Sequence, residues 1–191
     1  MRFSDGKSMR LYRQTVEDFG LYPGLELTDT QLQQLEEAAG LMSAKMRAVR
    51  IVAATNVSKK DLEQRLVHKG ENPEQAKQAV LWMSDMALLD DRKTAEQIVS
   101  RCISKGYGIS KAKQALFEKR IPKEYWQEAL AEYPDQHKAI LSFLRARLKN
   151  TEDEKELRRA VDALLRRGHS YSQIRHCLEL LSVDTETFPE E

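Results

Sequence analysis

The sequence predicts a mainly α-helical protein, an elongated array of three tandem three-helix repeats behind a small N-terminal segment that contains a β-hairpin. From Thr28 onward, apolar residues recur at helical spacing. Segments that begin at Leu62, Ala112 and Ala160 align with one another, which is typical of a helical repeat protein. Charged residues make up 32% of the 191-residue chain and aromatic residues only 7%. This polar balance suits an elongated molecule, which has more surface to solvate than a sphere.

The N-terminal segment, residues 1–28, has a different pattern. Asp5-Gly6 separates two short alternating runs, and this pair favours the positive φ angles of a tight hairpin turn. Pro23-Gly24 marks a second turn, after which Leu25 and Leu27 could add a short edge strand. We therefore expect a β-hairpin here.

Three helical repeats are expected at residues 29–89, 90–134 and 135–183, followed by an acidic, flexible tail at 184–191. Thr28 or Thr30 can cap the first helix, and Asp90 or Asp91 the first helix of the second repeat. Within the aligned segments a leucine recurs, and a basic residue follows it three positions later. These positions are Leu66, Leu116 and Leu164, with Lys69, Lys119 and Arg167.

The stretch "KGYGISKAK" at 105–113 could be taken for a phosphate-binding loop. A P-loop has the spacing GxxxxGK[ST] and follows a buried strand, and neither condition holds here. We interpret the two glycines as a turn between helices. No nucleotide or other cofactor is expected.

Catalytic and metal sites are not indicated either. Asp90 and Asp91 stand at a helix start, where carboxylates cap the helix and complement its dipole. His176 and Cys177 are adjacent and so point in different directions from a helix, and His169 adds no complete ligand set. We expect Cys102 and Cys177 to be buried small hydrophobic residues. No apolar run approaches the ~20 residues of a membrane span, and we expect a cytoplasmic protein.

Charge is distributed unevenly, although the net charge is only +1. Between Arg92 and Lys123 there are nine lysines and arginines against two acids, whereas the last eight residues carry four acids and no base. A basic surface of this kind attracts polyanions or acidic protein faces.

The stretch "LLDDRKTAEQIVSRCISKGYGISKAKQALFEKRIPKEYWQEAL" resembles the core of the bacterial RecX regulatory protein family. The matching residues are Asp90, Asp91, Ala95, Arg101, Gly106, Tyr107, Gly108, Leu116, Lys119 and Ile121. The stretches "LLRRGHSYSQIRHCL" and "VSKKDLEQRLVHKG" resemble the third and first units of the family, so the likeness covers about residues 45–181. Four positions depart from the family pattern, at which we expect looser packing. They are Glu71, Ala112, Arg120 and His169.

The resemblance implies a curved array that binds in the groove of the RecA–DNA filament and is not an enzyme. Such a protein would modulate RecA, most often by inhibiting filament growth and with it the ATPase, recombinase and co-protease activities used in DNA repair and the SOS response. We expect a monomer that contacts RecA and the single-stranded DNA inside the filament, with weak binding to DNA alone. Candidate contact residues are Arg101, Lys105, Tyr107, Lys111, Lys113, Lys119, Arg120, Arg145, Arg147, Arg158, Arg159, Arg166, Arg167 and Arg175.

Two alternatives stay open at this point. The chain could be a stand-alone nucleic-acid-binding helical repeat protein that acts through phosphate contacts alone. It could also be an enzyme whose site the sequence does not reveal. Any single basic residue could simply belong to a solvated helix face.

Overall fold

The computed structural model of the chain describes residues 1–4, 6–148 and 153–181. The described residues are mainly helical, with ten α-helices and one 3₁₀ turn. They form two compact units, one covering Met1–Asp90 and one that begins at Asp91.

The first unit contains helices α1 (Arg13–Asp18), α2 (Asp29–Ala54), α3 (Lys59–His68) and α4 (Pro73–Asp85). The side chain of Thr28 accepts a hydrogen bond from the backbone of Gln31, whose own side chain returns to Thr28, so α2 begins with a complete capping box. Pro73 occupies the first turn of α4, where its missing N–H costs nothing. The core joins α2, α3 and α4 through a cluster that includes Ala44, Leu62, Leu66, Ala76, Val80 and Met83.

The second unit contains α5 (Asp91–Ser104), α6 (Ile109–Glu118), the 3₁₀ turn Lys123–Tyr125, α7 (Trp126–Leu130), α8 (Gln136–Arg147), α9 (Glu154–Arg166) and α10 (Tyr171–Leu180). It holds two apolar clusters. One combines α5 with α6 and α7 around Ala95, Val99, Leu116 and Ile121. The other combines α8, α9 and α10 around Ile140, Leu144, Leu164, Ile174 and Cys177.

Helices α3, α6 and α9 end in the same way. The residue after each C-cap has a positive φ, +89° at Gly70, +53° at Arg120 and +86° at Gly168. The next residue donates its backbone N–H to the aligned leucine carbonyl, over 3.0 to 3.2 Å. This is the Schellman termination. Helices α1, α4 and α5 end with the same pair of bonds, so this ending does not distinguish the three aligned helices. The repeat of three helical groups (α2–α4, α5–α7 and α8–α10) and their assembly into one curved array stay predictions.

Three of the four positions that depart from the family pattern are buried. Ala112 is fully enclosed and His169 nearly so. Glu71 is buried against a partner, because the Arg47 guanidinium donates to its carboxylate over 2.6 Å. The fourth, Arg120, is exposed and adopts the left-handed conformation that a glycine would adopt without strain.

The prediction of an N-terminal β-hairpin is wrong. The described residues contain no strand, only one isolated antiparallel bridge between Arg2 and Ser8. Phe3 N donates to Lys7 O over 2.9 Å, so the chain does turn back on itself. The segment is mostly exposed, and a two-stranded ladder with no layer to cover it is not stable. Leu25 and Leu27 likewise form no strand.

Some predictions fall outside the described residues. These are the acidic tail at 184–191 and the Asp5 position of the predicted turn. Helix α9 has its N-cap at Asp153, whose carboxylate accepts from the backbone of Lys155 and Glu156. In the described part of the chain, no helix combines the length and apolar character needed to span a bilayer.

Candidate functional site

The turn at Gly106–Gly108 packs against the turn that ends α9. The backbone N–H of Gly108 donates to the carbonyl of Arg167 over 2.8 Å. The ring Nε2–H of His169 donates to the carbonyl of Gly106 over 3.1 Å. Because the amide of Gly108 and the carbonyl of Gly106 are used in packing, the "GYG" stretch joins two sets of helices and does not form a phosphate-binding loop.

This joint depends on two glycines. A Cβ on Gly108 would lie 2.0 Å from the carbonyl oxygen of Gly168, and a Cβ on Gly168 would lie 2.4 Å from the backbone nitrogen of Lys111. Both distances are far shorter than any real Cβ contact. The two backbones therefore approach each other at a separation that only glycine permits.

The joint brings several predicted contact residues together. Lys111 of α6 lies beside the Arg167–Gly168 turn. Tyr107 is half-buried, and its carbonyl accepts a 2.7 Å hydrogen bond from the hydroxyl of Tyr133. Burial and, secondarily, the nearby Cys102 raise the pKa of Tyr133 to about 12, so this hydroxyl stays a donor. The ammonium of Lys105 lies 6.0 Å from the centre of the Tyr107 ring.

His169 is enclosed at this joint in its neutral form. Its Nδ1 atom has no hydrogen-bond partner among the described residues. Burial and the positive charge of Arg167 lower the pKa of His169, and the bond to Gly106 only partly opposes them. A proton added at Nδ1 would be buried without an acceptor, which is unfavourable.

The clearest basic site lies between α8 and α9. A groove of about 420 Å³ is lined by three arginines and one carboxylate, together with an aromatic ring and two alanines. The lining residues are Phe143, Arg147, Glu156, Arg159, Ala160, Ala163 and Arg166. We call it the α8–α9 groove.

The Phe143 ring is central to this groove. The guanidinium carbons of Arg167 and Arg147 lie 4.7 and 5.7 Å from its centre. Cations at this distance are attracted to the ring face, so the ring favours a guanidinium group beside it. Guanidinium groups bind phosphate and carboxylate oxygens with two parallel hydrogen bonds. The arrangement can therefore bind an anion of either kind.

The other predicted residues are more dispersed. Two further candidates are partly neutralised by i,i+4 ion pairs, Arg158 with Glu154 at 3.6 Å and Arg175 with Glu179 at 3.3 Å. The remaining candidate contact residues differ in exposure. Arg101, Lys105, Lys113, Arg120 and Arg145 are exposed, whereas Lys111 and Lys119 are half-buried.

A second basic groove, in the first unit, was not predicted. It has a volume of about 640 Å³ and includes Arg10, Arg47 and Arg50 among its lining residues. Arg47 is paired with Glu71, and Arg50 donates to the Tyr12 hydroxyl over 3.1 Å. The i,i+3 spacing of Arg47 and Arg50 on α2 was visible in the sequence, but the approach of Arg10 depends on the path of the N-terminal segment. Nothing in the sequence indicated that Phe143 lines the α8–α9 groove.

The described residues offer binding groups more readily than catalytic ones. No three His, Cys, Asp or Glu side chains among them are placed to hold a metal ion. Both cysteines are buried, and burial raises the pKa of each thiol, which disfavours the nucleophilic thiolate. Asp91 is buried where α5 begins.

Comparisons with known proteins agree on one family, although no family model matches the chain. The chain is 29% identical over 133 residues to the regulatory protein RecX of Chromohalobacter salexigens, covering 69% of this chain and 88% of that protein. It is also 29% identical over 150 residues to the regulatory protein RecX of Vibrio parahaemolyticus, covering 76% and 96%.

Solved structures show the same fold. A crystal structure of a regulatory protein RecX superposes with a TM-score of 0.69 at 18% identity, over 93% of this chain and 91% of that one. RecX from Lactobacillus salivarius gives 0.63 at 18% identity, over 77% and 99%. The likeness in sequence extends over most of the named relatives, and the fold agrees with it. In sequence and in fold, the chain resembles the RecX family of regulatory proteins.

Proposed function

We propose that the chain binds the RecA filament assembled on single-stranded DNA, lies in its groove and inhibits the recombinase, ATPase and co-protease activities of RecA. It acts in the cytoplasm as a monomer, in DNA repair and the SOS response. The three helical groups follow one another as a curved array, and no catalytic step is involved. The relatives are named regulatory proteins, which favours a binding role over an enzymatic one.

The α8–α9 groove is the single observation that best supports this function. Arg147, Arg159 and Arg166 line a concave surface with only one carboxylate, Glu156, among its described lining residues. Such a surface attracts a phosphate backbone irrespective of base sequence. A protein that regulates a filament wherever it forms needs affinity of this sequence-independent kind.

A charge-removal experiment tests the contribution of the groove. The variant Arg147→Gln, Arg159→Gln, Arg166→Gln loses three cations that we assign to phosphate contacts. Each contact to single-stranded DNA contributes roughly 0.7 to the slope of log affinity against log salt, so the slope should fall by about 2. The matched control Arg13→Gln, Lys60→Gln, Lys77→Gln removes three exposed cations that line neither groove. An unchanged slope in the first variant, or an equal loss in the control, would place the phosphate contact elsewhere.

A second candidate is a nucleic-acid-binding protein that acts alone, since the basic groove by itself does not require RecA. The DNA-dependent ATPase of RecA, measured with substoichiometric chain, separates the two. Slowing at a ratio well below one chain per RecA subunit supports the filament regulator. Tight binding to naked single-stranded DNA with no slowing supports the stand-alone protein.

A further inference from the structure

The α8–α9 groove has an apolar floor as well as a basic rim. Ala160 is buried and Phe143 and Ala163 are half-buried, whereas the three arginines that line the groove are exposed. A contact with phosphate alone needs only cations or other hydrogen-bond donors and gains nothing from an apolar surface beneath them. The groove is therefore suited to a ligand that has an apolar part next to its negative charge.

Helix α9 presents this floor between two cations. Arg159, Ala163 and Arg166 are separated by four and three residues, so they lie along one face of the helix, and all three line the groove. At 1.5 Å per residue, the two arginines are about 10 Å apart along the helix axis. The one carboxylate, Glu156, lies a turn before Arg159 and so falls outside this pair. The order along the face is cation, apolar residue, cation.

The Phe143 ring contributes to the groove although a guanidinium group lies close to it. The carbon at the centre of the Arg167 guanidinium is 4.7 Å from the ring centre, but Arg167 is not one of the described residues that line the groove. The Arg147 guanidinium is 5.7 Å from the ring centre and does belong to the lining. The nearer cation therefore contacts the ring from outside the groove, and another part of the ring lines it.

An unpaired nucleotide has the chemistry that matches this arrangement. Its base is a flat ring with apolar faces, and in a strand each base lies between two phosphates. Proteins that bind single strands stack such bases on aromatic side chains and hold the backbone with cations. A volume of about 420 Å³ is within the ~300–1,000 Å³ of pockets that enclose small molecules. An acidic protein segment also pairs with arginine, but a carboxylate makes no use of an aromatic floor.

We infer that the α8–α9 groove binds one unpaired nucleotide of a single strand, with the base packed against Phe143 and Ala163. The phosphates on either side of that base contact Arg159 and Arg166. This rests on the part of the proposed function that assigns phosphate to this groove, and it identifies the rest of the ligand. The groove then discriminates single-stranded from duplex DNA, because the bases of a duplex are stacked on one another and their faces are not available.

The test separates the base from the phosphates. Binding of the chain is measured by fluorescence anisotropy with labelled oligothymidylate and with an abasic oligomer of the same length, which has the same phosphates and no bases. The unaltered chain should bind oligothymidylate more tightly by about fivefold or more, which is the size of effect that stacking of a base on an aromatic side chain produces. Equal affinity for the two oligomers would overturn the inference.

Two variants assign this preference to the groove. Phe143→Leu keeps an apolar side chain against the core of α8, α9 and α10 and leaves every charge in place. It should lose most of the preference for oligothymidylate and bind the abasic oligomer as the unaltered chain does. Ala163→Gln fills the groove from the other helix and should have the same effect, so the test does not depend on the packing of Phe143.

The matched control is Ala146→Gln, which adds the same side chain to α8 at an exposed position that does not line the groove. It should keep the full preference, and circular dichroism should give the same helix content for all three variants. If Phe143→Leu and Ala163→Gln keep the preference as well, the base binds elsewhere and the inference is overturned. Polyglutamate, which has carboxylates and no bases, represents an acidic protein partner. Tighter binding of polyglutamate than of oligothymidylate would also overturn the inference.

Failure of the inference is distinct from failure of the proposed function, because the RecA ATPase is measured separately. If the chain slows RecA but binds the two oligomers equally, the proposed function stands and the inference is overturned. If the chain prefers oligothymidylate through Phe143 but does not slow RecA, the inference stands and the chain is the stand-alone nucleic-acid-binding protein. If it neither binds the oligomers nor slows RecA, both fail.

Discussion

Gly108→Ala should destabilise the second unit strongly, although φ at this position is an ordinary −77°. An alanine Cβ would stand 2.0 Å from the Gly168 carbonyl oxygen and 2.5 Å from the His169 nitrogen. Both are backbone atoms and cannot move aside as a flexible side chain could. The turn at 106–108 must therefore separate from the turn at 167–169.

The magnitude follows from the distances. Real Cβ atoms essentially never approach closer than 3.0 Å, so the 2.0 Å contact requires an opening of about 1 Å. The Gly108–Arg167 hydrogen bond, 2.8 Å long, would then exceed hydrogen-bonding distance, and the His169–Gly106 bond would weaken with it. Buried polar groups left without partners cost about 1–3 kcal/mol each. We expect a loss of about 2–4 kcal/mol in the free energy of unfolding.

Gly106→Ala is the matched control. Gly106 has a φ of +63° but no atom within 4 Å of an added Cβ. Its substitution should cost only the left-handed strain, about 1–2 kcal/mol. Amide hydrogen exchange is the appropriate assay because the two compact units need not unfold together. Protection should fall more in Gly108→Ala than in Gly106→Ala for peptides from the second unit, with the first unit as internal reference. Equal loss in both variants would refute the steric argument.

Two further predictions concern the helix ends. His169→Phe should reduce the loss of stability on acidification. Because the pKa of His169 in the folded chain lies below the ordinary 6.5, the unfolded chain takes up this proton first. The stabilisation from neutral His169 is therefore complete above pH 6.5 and is lost as the pH falls from 6.5 towards the folded pKa. Urea unfolding at pH 7.5 and 5.5 should give a smaller difference for the variant, and an unchanged difference would show that His169 does not carry the effect. Arg120→Gly should stabilise the chain by about 1 kcal/mol by relieving the positive φ, whereas Arg120→Ala keeps that φ and should give no gain. A gain in unfolding free energy with alanine equal to that with glycine would contradict the strain argument.

Local features of the fold were predictable because their causes are short-range. The capping boxes at Thr28–Gln31 and Ser170–Gln173 each need only four residues, and both are present. The same holds for Ser58, whose hydroxyl accepts from the Asp61 N–H over 3.0 Å. Gly70 provides the left-handed residue after α3, as expected of a glycine there.

Features that depend on distant contacts were not predictable in the same way. The Asp-Gly pair favours a turn, but a turn alone does not make the flanking residues pair as strands, since an isolated two-stranded hairpin is at best marginally stable. Helix α1 follows immediately and was not expected. Phe143 reads as an ordinary core residue of α8 until its contacts with Arg147 and Arg167 are known. The basic charge near Arg159 and Arg166 was visible in the sequence, whereas the concavity that makes it a groove was not.

Co-sedimentation with RecA filaments on single-stranded DNA is the most direct test of the central claim that the chain is a filament-binding regulator. The chain should pellet with the filaments at concentrations where it stays in solution with the same DNA alone, and the Arg147, Arg159, Arg166 variant should pellet less. If the chain stays in the supernatant with filaments while it binds naked DNA, the claim is contradicted.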